Sequence, residues 1–171
     1  ILDEKELLKI KQKILKKYKR IDALINLACQ NDSVEKVKKI TLFENYLTEN
    51  FINNLEANIL MTYLPCKIFG NEMKKQQNGS IINFSSTYGI VSPSPHLYNG
   101  ADEKHIGYSV SKSAVAHLTK HLAVHLAPNF RVNCIAPGGV RHEQDEEFVR
   151  KYSDKTPMAR MMKVSELDGL L

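Results

Sequence analysis

The sequence predicts an α/β fold built on a parallel sheet, and three observations carry that prediction. Helical and extended patterns alternate along the chain, the extended segments are short apolar runs, and stretches long enough for a crossover helix separate them. At 171 residues, with 43% hydrophobic and 25% charged content, the chain suits one globular domain with a real core.

Residues 1–20 read as an amphipathic helix with Leu7, Ile10, Ile14 and Leu15 turned inward, acids at its start and bases at its end, as the helix dipole favours. Those twenty residues carry eight bases against three acids, which accounts for the entire net charge of +5. The excess is therefore a solvated helix face rather than a nucleic-acid surface. Ala23-Leu24-Ile25-Asn26 is the first strand. A polar stretch from Gln30 to Lys39 leads to helical segments from about Leu42 to Lys75, broken near Pro65, and Gln77-Asn78-Gly79 makes a turn. Ser80 to Phe84 is the second strand and runs into Ser85-Ser86. A loop from Ser92 to Gly107 precedes a helix carrying Tyr108, Lys112, Val115, Leu118, Leu122 and Leu126. Arg131 to Ala136 is the third strand, ending at Pro137-Gly138-Gly139.

No run approaches the roughly 18 apolar residues of a membrane span, and the amino end lacks a signal-peptide pattern, so a cytoplasmic location without membrane contact is expected. Cys29, Cys66 and Cys134 are widely spaced, which suggests reduced, mostly buried thiols and neither a disulfide framework nor zinc. His117, His121 and His125 recur one turn apart without a supporting carboxylate motif; no metal is expected, and a surface or subunit-contact stripe is the reading.

Chemistry concentrates at Gly107-Tyr108-Ser109-Val110-Ser111-Lys112. A phenol and an ammonium four residues apart share one helix face, and a nearby cation favours the phenolate, lowering its pKa from about 10. Tyr63 and Lys67 repeat the spacing in a mainly apolar stretch with no polar partners arranged around them. Context separates the two pairs. In a parallel α/β sheet ligands bind beyond the carboxyl ends of the strands. Here those ends carry Asn26-Leu27-Ala28, Ser85-Ser86 and Pro137-Gly138-Gly139, and the helix bearing Tyr108 and Lys112 follows the second of them.

Taken in order, these motifs resemble the short-chain dehydrogenase/reductase family from about residue 20 onward. The resemblance implies a Rossmann-like doubly wound sheet and hydride transfer between NAD or NADP and a carbonyl or alcohol. It implies that Ser86 polarises the carbonyl, that Tyr108 is the acid/base, that Lys112 tunes Tyr108 and holds the nicotinamide ribose, and that Asn58 holds water in a proton relay. Asn26 and Ala28 would line the adenine side of the cofactor, and Pro137, Gly138 and Val140 would meet the nicotinamide. Cys29 stands where the family has a glycine, and Arg141 where it has a threonine that touches phosphate.

Ser86 and Tyr108 are 22 residues apart, a long spacing for the family. The added polar loop, with His96, Tyr98 and Asn99, suggests a polar, sugar-like small-molecule substrate and resembles the loop of bacterial flagellin-modification oxidoreductases. A homodimer or homotetramer is the family expectation, with no nucleic-acid partner. Two alternatives stay open: a nucleotide-sugar epimerase or dehydratase, and a non-catalytic remnant that acts by binding or oligomerisation. The family's opening glycine-rich turn has no counterpart. Its first three strands and its last strand are expected to lie outside this sequence, leaving the catalytic part of one domain across residues 1–171.

Overall fold

The computed structural model describes residues 1–30, 43–98 and 104–170. Helix α1 (Glu4–Tyr18) starts where the Asp3 carboxylate accepts the backbone N–H groups of Lys5 and Glu6, and ends at Lys19 in a left-handed conformation with φ 66°. Leu7 is buried and Ile14 and Leu15 pack partly against the core, but Ile10 is exposed. The apolar stripe is thus narrower than the sequence suggests.

Strands β1 (Ala23–Asn26), β2 (Gly79–Phe84) and β3 (Phe130–Ile135) form a parallel sheet in the order β1-β2-β3. Asn26 pairs with Asn83 across the first junction, and Phe84 with Ile135 across the second. That register brings the carboxyl ends of all three strands to one rim. Gly79 is required at the start of β2: a Cβ there would stand 2.1 Å from the Phe130 ring and 2.9 Å from Met73.

Helix α2 (Thr48–Gln76) runs unbroken through Pro65, against the expected interruption. A proline inside a helix costs about 3 kcal/mol. Here the helix buries Leu64, Cys66, Ile68, Phe69 and Met73 around it, and that packing outweighs the lost hydrogen bond. Helix α3 (Ile106–Leu126) packs against α2, and both lie against the sheet. The core joins Leu7 of α1, the apolar face of α2, Ile81, Leu126, Phe130 and Val132. Helix α4 (Glu146–Lys155) follows the third strand end and contributes no buried residue.

Of the three cysteines only Cys66 is buried; Cys29 is exposed and Cys134 intermediate, so the expectation of mostly buried thiols fails. His117, His121 and His125 are exposed on α3, with the last two rings stacked at 6.5 Å. Among the described residues no helix is long and apolar enough to cross a membrane.

Candidate active site

The rim is held together by its own backbone and by short polar side chains. Ser85 donates its N–H to the Ile135 carbonyl at 2.9 Å and its hydroxyl to the Lys112 carbonyl at 2.7 Å. Thr87 gives both its N–H and its hydroxyl to the Pro137 carbonyl, at 2.9 and 3.0 Å. The turn at Thr87–Gly89 lies directly on α3, since a Cβ on Gly89 would stand 2.7 Å from the Lys112 carbonyl carbon. Ser113 closes that contact by donating to the Gly89 carbonyl at 2.8 Å.

On this frame Ser86, Tyr108, Pro137 and Gly138 line one cavity of about 240 Å³, together with Tyr88, Tyr98, Gln144, Phe148 and Tyr152. The Ser86 side chain is a hydrogen-bond partner of the Tyr108 phenol. Lys112 is buried at 4% exposure; its ammonium donates to the Phe84 carbonyl at 2.9 Å and lies 5.7 Å from the centre of the Tyr108 ring. A second ammonium, that of Lys104, stands over the same ring at 4.1 Å. A larger cleft of about 420 Å³ adjoins, sharing Tyr88, Tyr98 and Lys104 with the first, but neither Ser86 nor Tyr108 lines it. The candidate hydroxyls of Ser86 and Tyr108 thus share the smaller cavity.

The titration of Tyr108 runs opposite to the sequence expectation. Burial pushes the phenol up from its usual value, and the Ser86 hydrogen bond only partly counters this. Burial likewise pulls Lys112 down, offset in part by Cys29 and Cys134. The physical reason is that both groups leave water together, and desolvation disfavours the charged form of each. The Tyr108 phenol is therefore held in its neutral form.

Asn58 is buried, and its side chain is fully engaged. Its amide donates to the Gln30 carbonyl at 3.1 Å and to the Ser111 hydroxyl at 3.0 Å, and its oxygen accepts the Gln30 N–H at 2.6 Å. Ser111 in turn donates to the Tyr108 carbonyl at 2.8 Å. Asn58 thus ties the segment after β1 to the helix turn that carries Tyr108.

Asn26 turns beneath the sheet rather than onto the rim. Its amide donates to Asn83 at 2.8 Å and to the Cys66 sulfur at 3.3 Å, and Asn83 donates to Thr119 at 2.9 Å. The Asn26 side chain is committed to that network. Ala28 is exposed beyond the strand. Val140 pairs with Met162 in an isolated parallel bridge just outside the cavity lining. Arg141 is paired with Glu146 of α4 at 2.6 Å, while its Nη1 is buried with no hydrogen-bond partner among the described residues. Tyr98 lines the cavity, its hydroxyl 3.4 Å from that of Tyr88; His96 is exposed and lines neither cavity, and Asn99 lies outside the described residues.

The second Tyr-x-x-x-Lys pair has no such setting, for Tyr63 is exposed and Lys67 is bonded to Glu4 at 2.7 Å. Sequence reasoning missed Tyr152, Phe148 and Gln144, which α4 and the segment before it bring to the cavity. Nothing in their local pattern marks them, although the amphipathic periodicity of 146–155 could have indicated a helix folding back on the rim.

The chain is 31% identical to post-translational flagellin modification protein A of Campylobacter coli over 91% of its own length and 60% of that protein's. A short chain dehydrogenase of Leptospira borgpetersenii, solved with NAD+ bound, superposes with a TM-score of 0.84 at 33% identity, covering 98% of this chain and 63% of the other. ElxO, solved with NADP bound, gives a TM-score of 0.80 at 28% identity over 99% of this chain and 66% of its own. The chain therefore spans less than two thirds of the length of these relatives. With the short chain dehydrogenase family model matching residues 1–153, and with Ser86 and Tyr108 lining one cavity and the buried Lys112 ammonium 5.7 Å from the Tyr108 ring, the chain belongs to the short-chain dehydrogenase family.

Proposed function

We propose that the chain carries the proton-transfer half of an NAD(P)-dependent oxidoreductase acting on a carbonyl or alcohol. The observation behind this reading is the meeting of the Ser86 hydroxyl and the Tyr108 phenol in one cavity, with the buried Lys112 ammonium beside the ring.

The donor set suits a nicotinamide cofactor. The Lys112 ammonium has three N–H donors and gives one to Phe84, which leaves two to meet a ribose diol. Gly138 offers backbone at the cavity wall, where a Cβ would stand 3.0 Å from the Tyr152 hydroxyl, whereas Gly139 gives its N–H to that hydroxyl and accepts the Met162 N–H. Such a cofactor supplies the hydride when bound.

The chain's own residues do the rest. Ser86 donates to the substrate oxygen, and Tyr108, held neutral by burial, gives that oxygen its proton. Lys112 lies close enough to the ring to stabilise the phenolate that remains. Asn58, its side chain committed to Gln30 and Ser111, serves by fixing the helix turn that carries Tyr108 rather than by holding a relay water with that side chain.

The hydroxyls of Tyr88, Tyr98 and Tyr152 and the Gln144 amide along the cavity favour a polar, sugar-like substrate.

Replacing Tyr108 by Phe in the intact protein tests the reading. Turnover is expected to fall by at least about a hundredfold, with NAD(P)H binding retained by fluorescence titration. Substantial turnover in that variant overturns it. Stoichiometric NAD(P)H consumption separates the reaction from an epimerase or dehydratase, and turnover of hydroxysteroids but not polyols would refute the substrate class.

A further inference from the structure

Tyr108 is the third residue of α3, in the turn most prone to fray, where backbone N–H groups have no helical partner. The residue that caps this turn is His105, although Ser, Thr, Asp and Asn are the usual choices. Its Nδ1 accepts the backbone N–H of Tyr108 at 3.2 Å. A ring nitrogen that accepts carries no proton, so this imidazole is neutral with its hydrogen on Nε2.

The cap is itself held in place. His105 is buried at 3% exposure and stacks on Tyr46, ring centres 5.8 Å apart and planes 13° from parallel. The Tyr46 hydroxyl lies 3.3 Å from the same Nδ1 and accepts the Asn54 amide at 3.2 Å, while Asn54 also donates to the Asn50 carbonyl at 3.0 Å. Gly107 lets the helix start press onto α2, for a Cβ there would come within 3.0 Å of both Asn54 and the Tyr46 hydroxyl. The His105 ring meets the Tyr108 ring edge-on at 6.1 Å. One imidazole thus touches Tyr108 at its backbone and at its ring, and is anchored to α2 from behind.

We propose that His105 is a positioning residue for Tyr108, whose cap through Nδ1 fixes where the phenol stands relative to Ser86. Asparagine provides the natural control. Its Oδ1 occupies nearly the place of the imidazole Nδ1 and accepts in the same geometry, whereas phenylalanine keeps the ring and loses the acceptor.

This inference rests on the role assigned to Tyr108 above, but its test needs no turnover. The intact protein is labelled with ¹³Cζ-tyrosine, the Tyr108 resonance is assigned by its loss in Tyr108→Phe, and its ionisation is followed by NMR. In His105→Phe the midpoint is expected to fall by about half a unit or more, because a loosened helix start admits water to a phenol that burial holds high. In His105→Asn it is expected to stay within about 0.2 of wild type. An unchanged midpoint in His105→Phe overturns the proposal, as does an equal shift in both variants. Should His105→Phe not fold, His105→Asn decides alone: a wild-type midpoint supports the cap, and a shifted midpoint or an unfolded chain overturns it. Failure of the functional reading would show instead as turnover in Tyr108→Phe, whatever the titration gives.

Discussion

The Lys112 ammonium is bonded to the Phe84 carbonyl at 2.9 Å across the joint between β2 and α3, with almost no access to water. This contact places a charge where burial disfavours it, and the lowered pKa of Lys112 records that cost. The unfolded chain holds the proton more tightly than the folded one. Stability drawn from this residue therefore rises with pH between its lowered folded value and the ordinary 10.5, and the full penalty is present below that window. Lys112→Met, close in volume, is expected to abolish turnover while leaving stability at pH 7 within about 1 kcal/mol of wild type or above it. Chemical denaturation at pH 7 and pH 10 checks this, since the wild type should gain on the variant at the higher pH.

Ser86→Ala removes the hydrogen bond that partly offsets the burial of Tyr108. The Tyr108 midpoint should therefore move further up, not down, and turnover should fall by about tenfold to a thousandfold. Difference absorbance near 295 nm against the Tyr108→Phe variant gives the midpoint. A downward move would show that Ser86 does not act on the phenol.

Asn83 is fully buried, receives the Asn26 amide and donates to Thr119. Asn83→Ala leaves both partners unmatched beside a cavity and should cost about 2–4 kcal/mol. Urea unfolding measures it. Gly169→Ala, where a Cβ meets nothing within 4 Å, should change stability by less than about 0.5 kcal/mol.

Gly89→Ala should act on the site more than on the core. A Cβ would stand 2.6 Å from the Ser85 hydroxyl and 2.8 Å from the Lys112 carbonyl oxygen, forcing the Ser86 turn off α3. A stability loss of about 1–3 kcal/mol is expected, with turnover falling at least tenfold because a displacement of about 1 Å is costly to positioned chemistry. Steady-state rates on folded protein provide the check.

Cys66 is buried between Asn26 and Asn83, and burial raises its thiol to about 11 despite those hydrogen bonds. Iodoacetamide at pH 7.5 should modify exposed Cys29 and spare Cys66 until the chain unfolds, as peptide mass analysis would show.

The three strands were legible because buried parallel strands are apolar runs that end at turn residues, and Ile81, Val132 and Phe84 fit that pattern. Ser86, Tyr108 and Lys112 were legible through their order and spacing. What the sequence hid was depth and distance. Asn26 meets Asn83 from 57 residues away, and Asn83 meets Thr119 from 36, so no local window shows the network they share. The unbroken α2 at Pro65 is a tertiary effect overriding a local preference. The sign of the Tyr108 shift was misread because a motif displays a pairing but not the loss of water around it.

The two bonds from Thr87 to the Pro137 carbonyl make the floor and back of the cavity a single mechanical piece. Ser86 cannot swing away from the Pro137-Gly138 loop without breaking both. Opposite them stands α4, with Phe148 and Tyr152 facing the cavity and no residue rooted in the core. Tyr152 accepts the Gly139 N–H, so α4 hangs from the same loop that Thr87 grips, and a displacement of Pro137-Gly138-Gly139 would be passed to both walls of the cavity at once.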